Sequence, residues 1–357
     1  MIKSAEVFVP SDIMGINVKR ANLKRIDRDR RVVEFSTDIR PGKITGSRFL
    51  AVLGRDPYMS DFKAACLIAR VIYDDTKTKQ TEAGDAIEPI IRSYVRENRE
   101  TILRDIMGVN GDITVEDPVD KKDCYYNHFR DEVFGGLVDG FIGVDGKRYA
   151  ILEIKTTGDR FNWFNEDGST RIPEGYILQA SLYAHLSKLE RIVFAVGFLE
   201  EKDYEHPEGF IPNEDNTLFL CVDKKDIASE MAQARGWYDR YIRSGVTPEW
   251  KDGDAGIVDV LTSDRINEMP GDAMMLFKRY ARYYDSDEDL TDMEYTIMDI
   301  MSSAAAEGVD KVIYSQNGFT FTLSLEGVPR LTVTPDDRSS EASSYPSSQA
   351  GTRSEWS

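Results

Sequence analysis

The sequence predicts an α/β (α+β) protein with a small α+β appendage towards its C-terminal end, and three observations carry that expectation. Apolar runs of strand length, "YAILEIKTT" (149–157), "RIVFAVGFLE" (191–200) and "NTLFLCVD" (216–223), recur along the chain. Segments with helical spacing of apolar residues alternate with them, among them "TEAGDAIEPIIRSYVREN" (81–98) and "PEGYILQASLYAHLSKLE" (173–190). Further on, "DEDLTDMEYTIMDIMSSAAAEG" reads as a helix and "KVIYSQNGFTFTLSLEGVPRLTVT" as a hairpin, with Asn317-Gly318 a strong turn signal.

Taken in order, residues 1–39 read as an N-terminal extension, strand-like pieces ("VFVP", "RRVVEFST") around the charged run "KRANLKRIDRDRR". "ITGSRFLAVLG" reads as a short helix with Ser47 as its N-cap and Gly54 as its left-handed stop. A second helix begins near Ser60. In the third, Ile87, Ile91, Tyr94 and Val95 share a face, and Pro89 is expected to kink it or to mark its first turn. A strand pair at 136–157, a loop with Trp163, the helix at 173–190, two buried strands and a long helix over 224–243 complete a main domain of 40–250. Residues 251–270 read as a linker and 271–335 as the appendage. Residues 336–357, rich in Ser, read as disordered.

With 357 residues and 41% hydrophobic content the chain can build a sizeable core. Its longest apolar run, "IVFAVGFL", falls well short of the roughly 20 residues that span a bilayer, so no membrane association is expected. The opening "MIKSAEVFVPSD" does not resemble a secretory signal. Cys66, Cys124 and Cys221 are odd in number and far apart, which suits a reducing cytoplasm better than a disulfide framework or a metal cluster. The net charge of −18 argues against a generic nucleic-acid binder. Yet residues 1–60 hold 12 Lys/Arg against 7 Asp/Glu, so a local basic contact with nucleic acid stays open.

The stretch "GLVDGFIGVDGKRYAILEIKTT" (136–157) carries the chemistry. Alternation along a strand puts Tyr149, Ile151, Glu153 and Lys155 on one face and Ala150, Leu152 and Ile154 on the other. Antiparallel pairing through the "VDGK" turn would bring Asp139 close to Glu153. Two carboxylates at one strand end suit Mg²⁺ or Mn²⁺, and the adjacent lysine suits a developing phosphate charge. Metal-assisted phosphodiester hydrolysis is the chemistry that this set fits best. Taken alone, the same residues also serve as turn chemistry and a solvated ion pair. Glu88 on the third helix is a candidate third carboxylate. Gln179 and Tyr183 share a face at i, i+4. His128 is a candidate lining residue or a structural one; Trp163 and Phe164 would either stack on a base or pack down.

In this order the pieces resemble the PD-(D/E)xK nucleases: Glu on a helix, Asp, Glu-x-Lys on a strand, then Gln-x-x-x-Tyr on a helix. The branch is that of lambda exonuclease, RecB-type nuclease domains and YqaJ-type viral recombinases. "ITGSRFLAVLGRDPY", "GDAIEPIIRSY", "FGGLVDGF", "LEIKTT" and "LQASLY" carry the likeness over residues 40–245. The resemblance implies a restriction-endonuclease-like mixed central sheet flanked by helices, and a Mg²⁺- or Mn²⁺-dependent DNA exonuclease using two ions. Glu88, Asp139, Glu153 and the backbone carbonyl of Ile154 would hold the metals, with Lys155 catalytic and Gln179 and Tyr183 in support. Arg40, Ser47 and, more loosely, Arg55 match by position the block that grips a 5′-phosphate end. Val138 replaces the proline of the motif, which is no ligand. The four cysteines of the iron–sulfur members are not matched, so no iron–sulfur cluster is expected.

The resemblance further implies double-stranded DNA ends as substrate, cut 5′ to 3′ to leave 3′ overhangs, in the recombination of a phage or prophage in its host's cytoplasm. A single-strand annealing protein would be the partner, and a ring-shaped homo-oligomer would reconcile the acidic body with DNA. The appendage resembles a C-terminal extension of some YqaJ-type proteins. Two alternatives stand: a RecB-like nuclease acting on single-stranded or flap DNA, and a non-catalytic DNA-end or protein-binding module on the same scaffold.

Overall fold

The computed structural model describes residues 16–74, 78–117, 128–265, 276, 279–280, 290–304, 310–316, 319–325 and 327–335. They belong to two compact units, one of residues 19–254 and one of residues 1–18 with 255–357. The smaller unit opens with β1 (Ile16–Val18), and the chain then builds the larger.

In the larger unit β2 (Leu23–Asp27) and β3 (Val32–Phe35) form an antiparallel hairpin. The Val33 N–H donates to Thr247 Oγ1 at 2.9 Å, and the Trp250 N–H to the Arg31 carbonyl at 2.9 Å. The segment expected to be an extension is thus built into the body of this unit from residue 19 on. Helix α1 (Gly46–Val52) has Thr45 rather than Ser47 at its N-cap position, without a capping side-chain hydrogen bond. The chain before it is held extended by the Ile44–Phe134 bridge, so helical geometry starts only at Gly46 and Ser47 lies in the first turn. Gly54, with φ +71°, follows its end. Helix α2 (Asp61–Ile68) begins where Ser60 Oγ accepts the Lys63 N–H.

β4 (Ile72–Asp74) leads to α3 (Lys79–Glu97), which starts at a Thr78/Thr81 capping box and runs through Pro89. Its Ile87, Ile91 and Val95 are buried. Then come α4 (Ile102–Met107), β5 (Ile113–Glu116), β6 (Gly140–Val144), β7 (Lys147–Thr157), α5 (Glu174–Ser187), β8 (Arg191–Phe198), α6 (Glu201–Glu205), β9 (Thr217–Asp223) and α7 (Ala228–Trp237). α7 continues as a π turn over Tyr238–Ile242 before Gly245 at φ +77°.

The sheet has the order β5-β6-β7-β8-β9. Only β7 and β8 pair in parallel; the other three joins are antiparallel. A parallel join needs a crossover, and here it carries α5. Each face of the sheet is covered. Leu152 and Ile154 pack with Ile87 and Ile91 of α3, whereas Ile151, Phe194 and Val196 pack with Ile177, Ala180 and Ala184 of α5. This is the expected mixed central sheet flanked by helices, and it explains why its inner strands read as unbroken apolar runs.

In the smaller unit, residues expected as linker form α8 (Ala255–Leu261) and β10 (Ser263–Arg265). Ile257, Val260 and Leu261 are buried, the i, i+3, i+4 spacing of a helix set in Asp- and Gly-rich sequence. Helix α9 (Thr291–Ala304) and the strands β11 (Lys311–Gln316), β12 (Phe319–Ser324) and β13 (Arg330–Pro335) follow, with sheet order β10-β11-β12-β13. Ile297 and Met301 pack on Val312, Phe321 and Leu323. β11 and β12 pair antiparallel, while Asn317-Gly318 lie outside the described residues, as do the tail from 336 and the strand expected at "VFVP". No helix among the described residues is long and apolar enough to cross a membrane.

Candidate active site

The hairpin of β6 and β7 decides where the carboxylates stand. Asp145 and Gly146 form its two-residue turn, with φ of +50° and +74°, the pairing of signs that a type I′ turn requires. Val144 faces Lys147 and Gly143 faces Arg148, after which the register slips, so that Ile142 faces Ala150 and Gly140 faces Leu152. Tyr149 is the extra residue of this bulge. One step past Gly140, the slipped register sets Asp139 across from Glu153. Without the bulge Asp139 would lie across from Leu152, whose side chain points to the opposite face. The bulge also moves Tyr149 off the face expected for it: it packs with Leu152 and Ile154, not with Ile151.

Glu153 is 1% exposed. Its Oε1 accepts from Lys155 Nζ at 2.7 Å and from Gln179 Nε2 at 2.7 Å. Its Oε2 is buried and has no hydrogen-bond partner among the described residues. Burial pushes the Glu153 carboxyl up to about 7; Lys155 opposes this, and Asp139 and Glu88 reinforce it. Burial alone would lower Lys155, but the carboxylates of Glu153 and Asp139 hold it above its ordinary range, so the lysine stays protonated. The ring of Tyr176 lies 5.3 Å from Lys155 Nζ.

Asp139 Oδ2 accepts the Ile154 N–H at 2.7 Å. A strand residue directs its N–H and C=O to the same edge, so the Ile154 carbonyl points to Asp139's side, past the end of the β6 ladder. Glu88 belongs to the helix on the other face of the sheet and is bonded to Arg92, whose Nε donates to the Asp139 carbonyl at 2.8 Å. Among the described residues no three carboxylate, imidazole or thiol groups are already gathered at ligand spacing. Glu88 is engaged by Arg92, and one oxygen of Glu153 by Lys155 and Gln179.

Tyr183, one turn beyond Gln179, accepts the Gly46 N–H at 3.0 Å. A Cβ at Gly46 would stand 2.5 Å from Gln179 Cγ, and one at Gly136 (φ +130°) 2.5 Å from Tyr183 Oη. Both glycines are needed for α5 to bring Gln179 and Tyr183 this close.

The structure therefore gathers Asp139, Glu153, Lys155 and Gln179, links Glu88 to them through Arg92, and uses Tyr183 to dock α1. Arg40 and Ser47 are exposed; Ser47 Oγ lies 3.0 Å from Thr45 Oγ1. Arg55 is engaged by Glu174 and Glu230 at 3.4 and 3.6 Å. Trp163 and Phe164 take the packing option: Trp163 is 1% exposed and stacks on Tyr176, and Phe164 lies against Phe198. His128 packs on Phe129 at 4.5 Å between centroids, and burial lowers its imidazole. Reading the sequence overlooked Arg92 and Tyr176. Both carried a signal, since Arg92 is i+4 from Glu88 and Tyr176 is i−3 from Gln179.

The donors present suit a hard divalent cation. A buried carboxylate oxygen without a partner, a second carboxylate across the strand pair and a main-chain carbonyl at the same edge form an all-oxygen set.

Residues 37–190 match the YqaJ-like viral recombinase domain. The chain is 30% identical to uncharacterized protein MG373 of Mycoplasma genitalium, over 59% of this chain and 85% of that protein. It is 29% identical to the MG373 homolog of Mycoplasma pneumoniae, over 58% and 83%. Among solved structures, an alkaline exonuclease (LHK-Exo) from Laribacter hongkongensis matches at 17% identity and a TM-score of 0.36, covering 56% of this chain and 88% of that one. A phage-related exonuclease from Haemophilus somnus 129PT matches at 14% identity and a TM-score of 0.37, covering 57% and 96%.

Proposed function

We propose that this chain, which belongs to the YqaJ-like viral recombinase family, is a Mg²⁺- or Mn²⁺-dependent DNA exonuclease of phage or prophage recombination. It degrades one strand of linear duplex from a 5′ end and leaves a 3′ single strand for an annealing protein. The observation that carries the reading is Glu153: fully buried, set across from Asp139 by a bulge, with one oxygen on Lys155 and the other without a partner among the described residues.

Asp139, Glu153 and the Ile154 carbonyl would hold the ions, with Glu88 joining from α3. A divalent ion bound there supplies Lewis acidity at the phosphoryl group and a water activated near neutral pH. Lys155, kept protonated by its carboxylate neighbours, holds the attacking water or the charge growing on phosphate oxygen. Gln179 fixes the rotamer of Glu153, and Tyr183 fixes α1 beside it. Arg40 and Ser47, exposed at either side of the entry to α1, are the better candidates for the 5′-phosphate, since Arg55 already faces two glutamates.

The test is Mg²⁺-dependent digestion of 5′-phosphorylated duplex, 5′-hydroxyl duplex and single-stranded DNA by wild type and Lys155→Ala. The phosphorylated duplex should be cut fastest, and the variant should lose about 10²–10³ in rate. Fastest cutting of single strands would favour the RecB-like reading. A wild type without metal-dependent cleavage, or an unimpaired variant, would falsify the proposed site.

A further inference from the structure

Asp139 lies beyond the ends of two ladders. Among the described residues, β5 pairs with β6 only as far as Phe141, and β7 only as far as Gly140. The register of the bulge thus brings Asp139 to Glu153 without a ladder pair at Asp139 itself among the described residues. Arg92 reaches it instead. Its side chain is 11% exposed, its Nε donates to the Asp139 carbonyl at 2.8 Å, and a terminal nitrogen is bonded to Glu88 one helical turn back. The Asp139 carboxylate is meanwhile held by the Ile154 N–H. An exposed i, i+4 ion pair contributes little, and it has no need of a shielded fork aimed at a main-chain oxygen on another element. A lysine is a point charge, whereas a guanidinium addresses two acceptors in fixed directions at once.

We propose that Arg92 is the positioning residue of the metal centre: one guanidinium fixes the main chain at Asp139 where both ladders have ended, and sets Glu88 at a defined separation from it. The inference rests on the metal-centre reading above and adds a residue that orients ligands without being one.

The experiment is calorimetric titration of Mn²⁺ into the full chain as wild type, Arg92→Lys and Arg92→Gln. Both substitutions should weaken binding by about tenfold or more, with lysine no better than glutamine, because charge without the fork does not hold two acceptors. An Arg92→Lys protein that binds like wild type overturns the inference, since charge alone then suffices. An Arg92→Gln protein that binds more tightly also overturns it, since Arg92 then merely competes with the ion. A wild type that binds no Mn²⁺ removes the metal centre itself, an outcome distinct from failure of Arg92 alone. Amide exchange in metal-free buffer adds a readout without metal: Arg92→Lys should speed exchange of the Ile154 amide and at 139–141 while leaving β8 unchanged. Unchanged exchange at those amides overturns the inference. Should the variants not fold, the wild-type Arg92 Nε–H signal decides, with slow solvent exchange expected and fast exchange refuting the bond.

Discussion

Glu153→Gln should flatten the pH dependence of stability in the metal-free protein. Burial pushes the Glu153 carboxyl from its ordinary 4.5 up to about 7. Across that window the folded chain keeps a proton that the unfolded chain has already released. Stability therefore falls as pH rises from the unfolded value to the folded one and levels off above it. Each pH unit corresponds to about 1.4 kcal/mol, which makes about 3 kcal/mol over the whole window. Lys155 adds no slope there, because its raised range begins above 10.5. The glutamine keeps the shape and can accept from Lys155 and Gln179 at Oε1, but it does not titrate. Urea unfolding followed by circular dichroism and tryptophan fluorescence, in EDTA at about pH 5 and about pH 8, reads the difference. Wild type should lose on the order of 3 kcal/mol between the two conditions relative to the variant. Mn²⁺ at the higher pH should restore wild type and not the variant, since an ion bound only to the folded state stabilises it. Parallel curves for the two proteins in EDTA would refute the reasoning.

Gly46→Ala places a methyl group 2.5 Å from Gln179 Cγ and 2.8 Å from Tyr183 Cζ; thermal melting should show a loss of about 1–3 kcal/mol, and cleavage should fall with it as Gln179 is pushed off Glu153. Asp131 accepts from the Val133 and Phe134 N–H groups at 2.9 Å each and pairs with Arg235 at 2.6 Å. Burial works against them, yet together these partners hold its carboxyl below the usual range. The stability it contributes is thus present above its ordinary 3.8 and is lost as pH falls through the lower folded value. Asp131→Asn should cost about 1–3 kcal/mol at neutral pH, and acid titration should bring the two proteins together at the low end.

Where a single strand or helix decided a contact, the sequence was enough. The apolar runs of β7, β8 and β9, the Ile87-Ile91-Val95 face of α3 and the Glu153/Lys155 alternation all follow from local periodicity. What depended on two segments meeting was not legible. The Tyr149 bulge leaves no mark in "KRYAILEIK", because an extra residue is defined only against its partner strand. The start of α1 at Gly46 is set by the bridge between Ile44 and Phe134, ninety positions apart in the chain, and not by the nearby serine. Residues 255–261 looked like linker because they follow directly on "KDGD", and the five Asp and Gly of 251–261 mask their three buried apolar residues. Arg92 was passed over because one of its acceptors, the Asp139 carbonyl, lies on another element.

The acidic character of the chain, net −18, is ill suited to DNA, and the site sharpens the conflict with three carboxylates against Lys155 and Arg92. The balance changes once divalent charge is counted. Under the proposed function, each bound Mg²⁺ or Mn²⁺ would add two positive charges beside a Glu153 oxygen without a partner among the described residues, and two ions would turn a negative site positive. The buried carboxylate that destabilises the metal-free protein is thus also what makes phosphate approach depend on metal. Arg40, Lys43 and Arg48, with no Asp or Glu among residues 40–48, flank the Gly46 whose N–H donates to Tyr183, one turn from the Gln179 that holds Glu153. Under the proposed function, the charge of the ions and of these three basic residues would act on a polyanion at the same place.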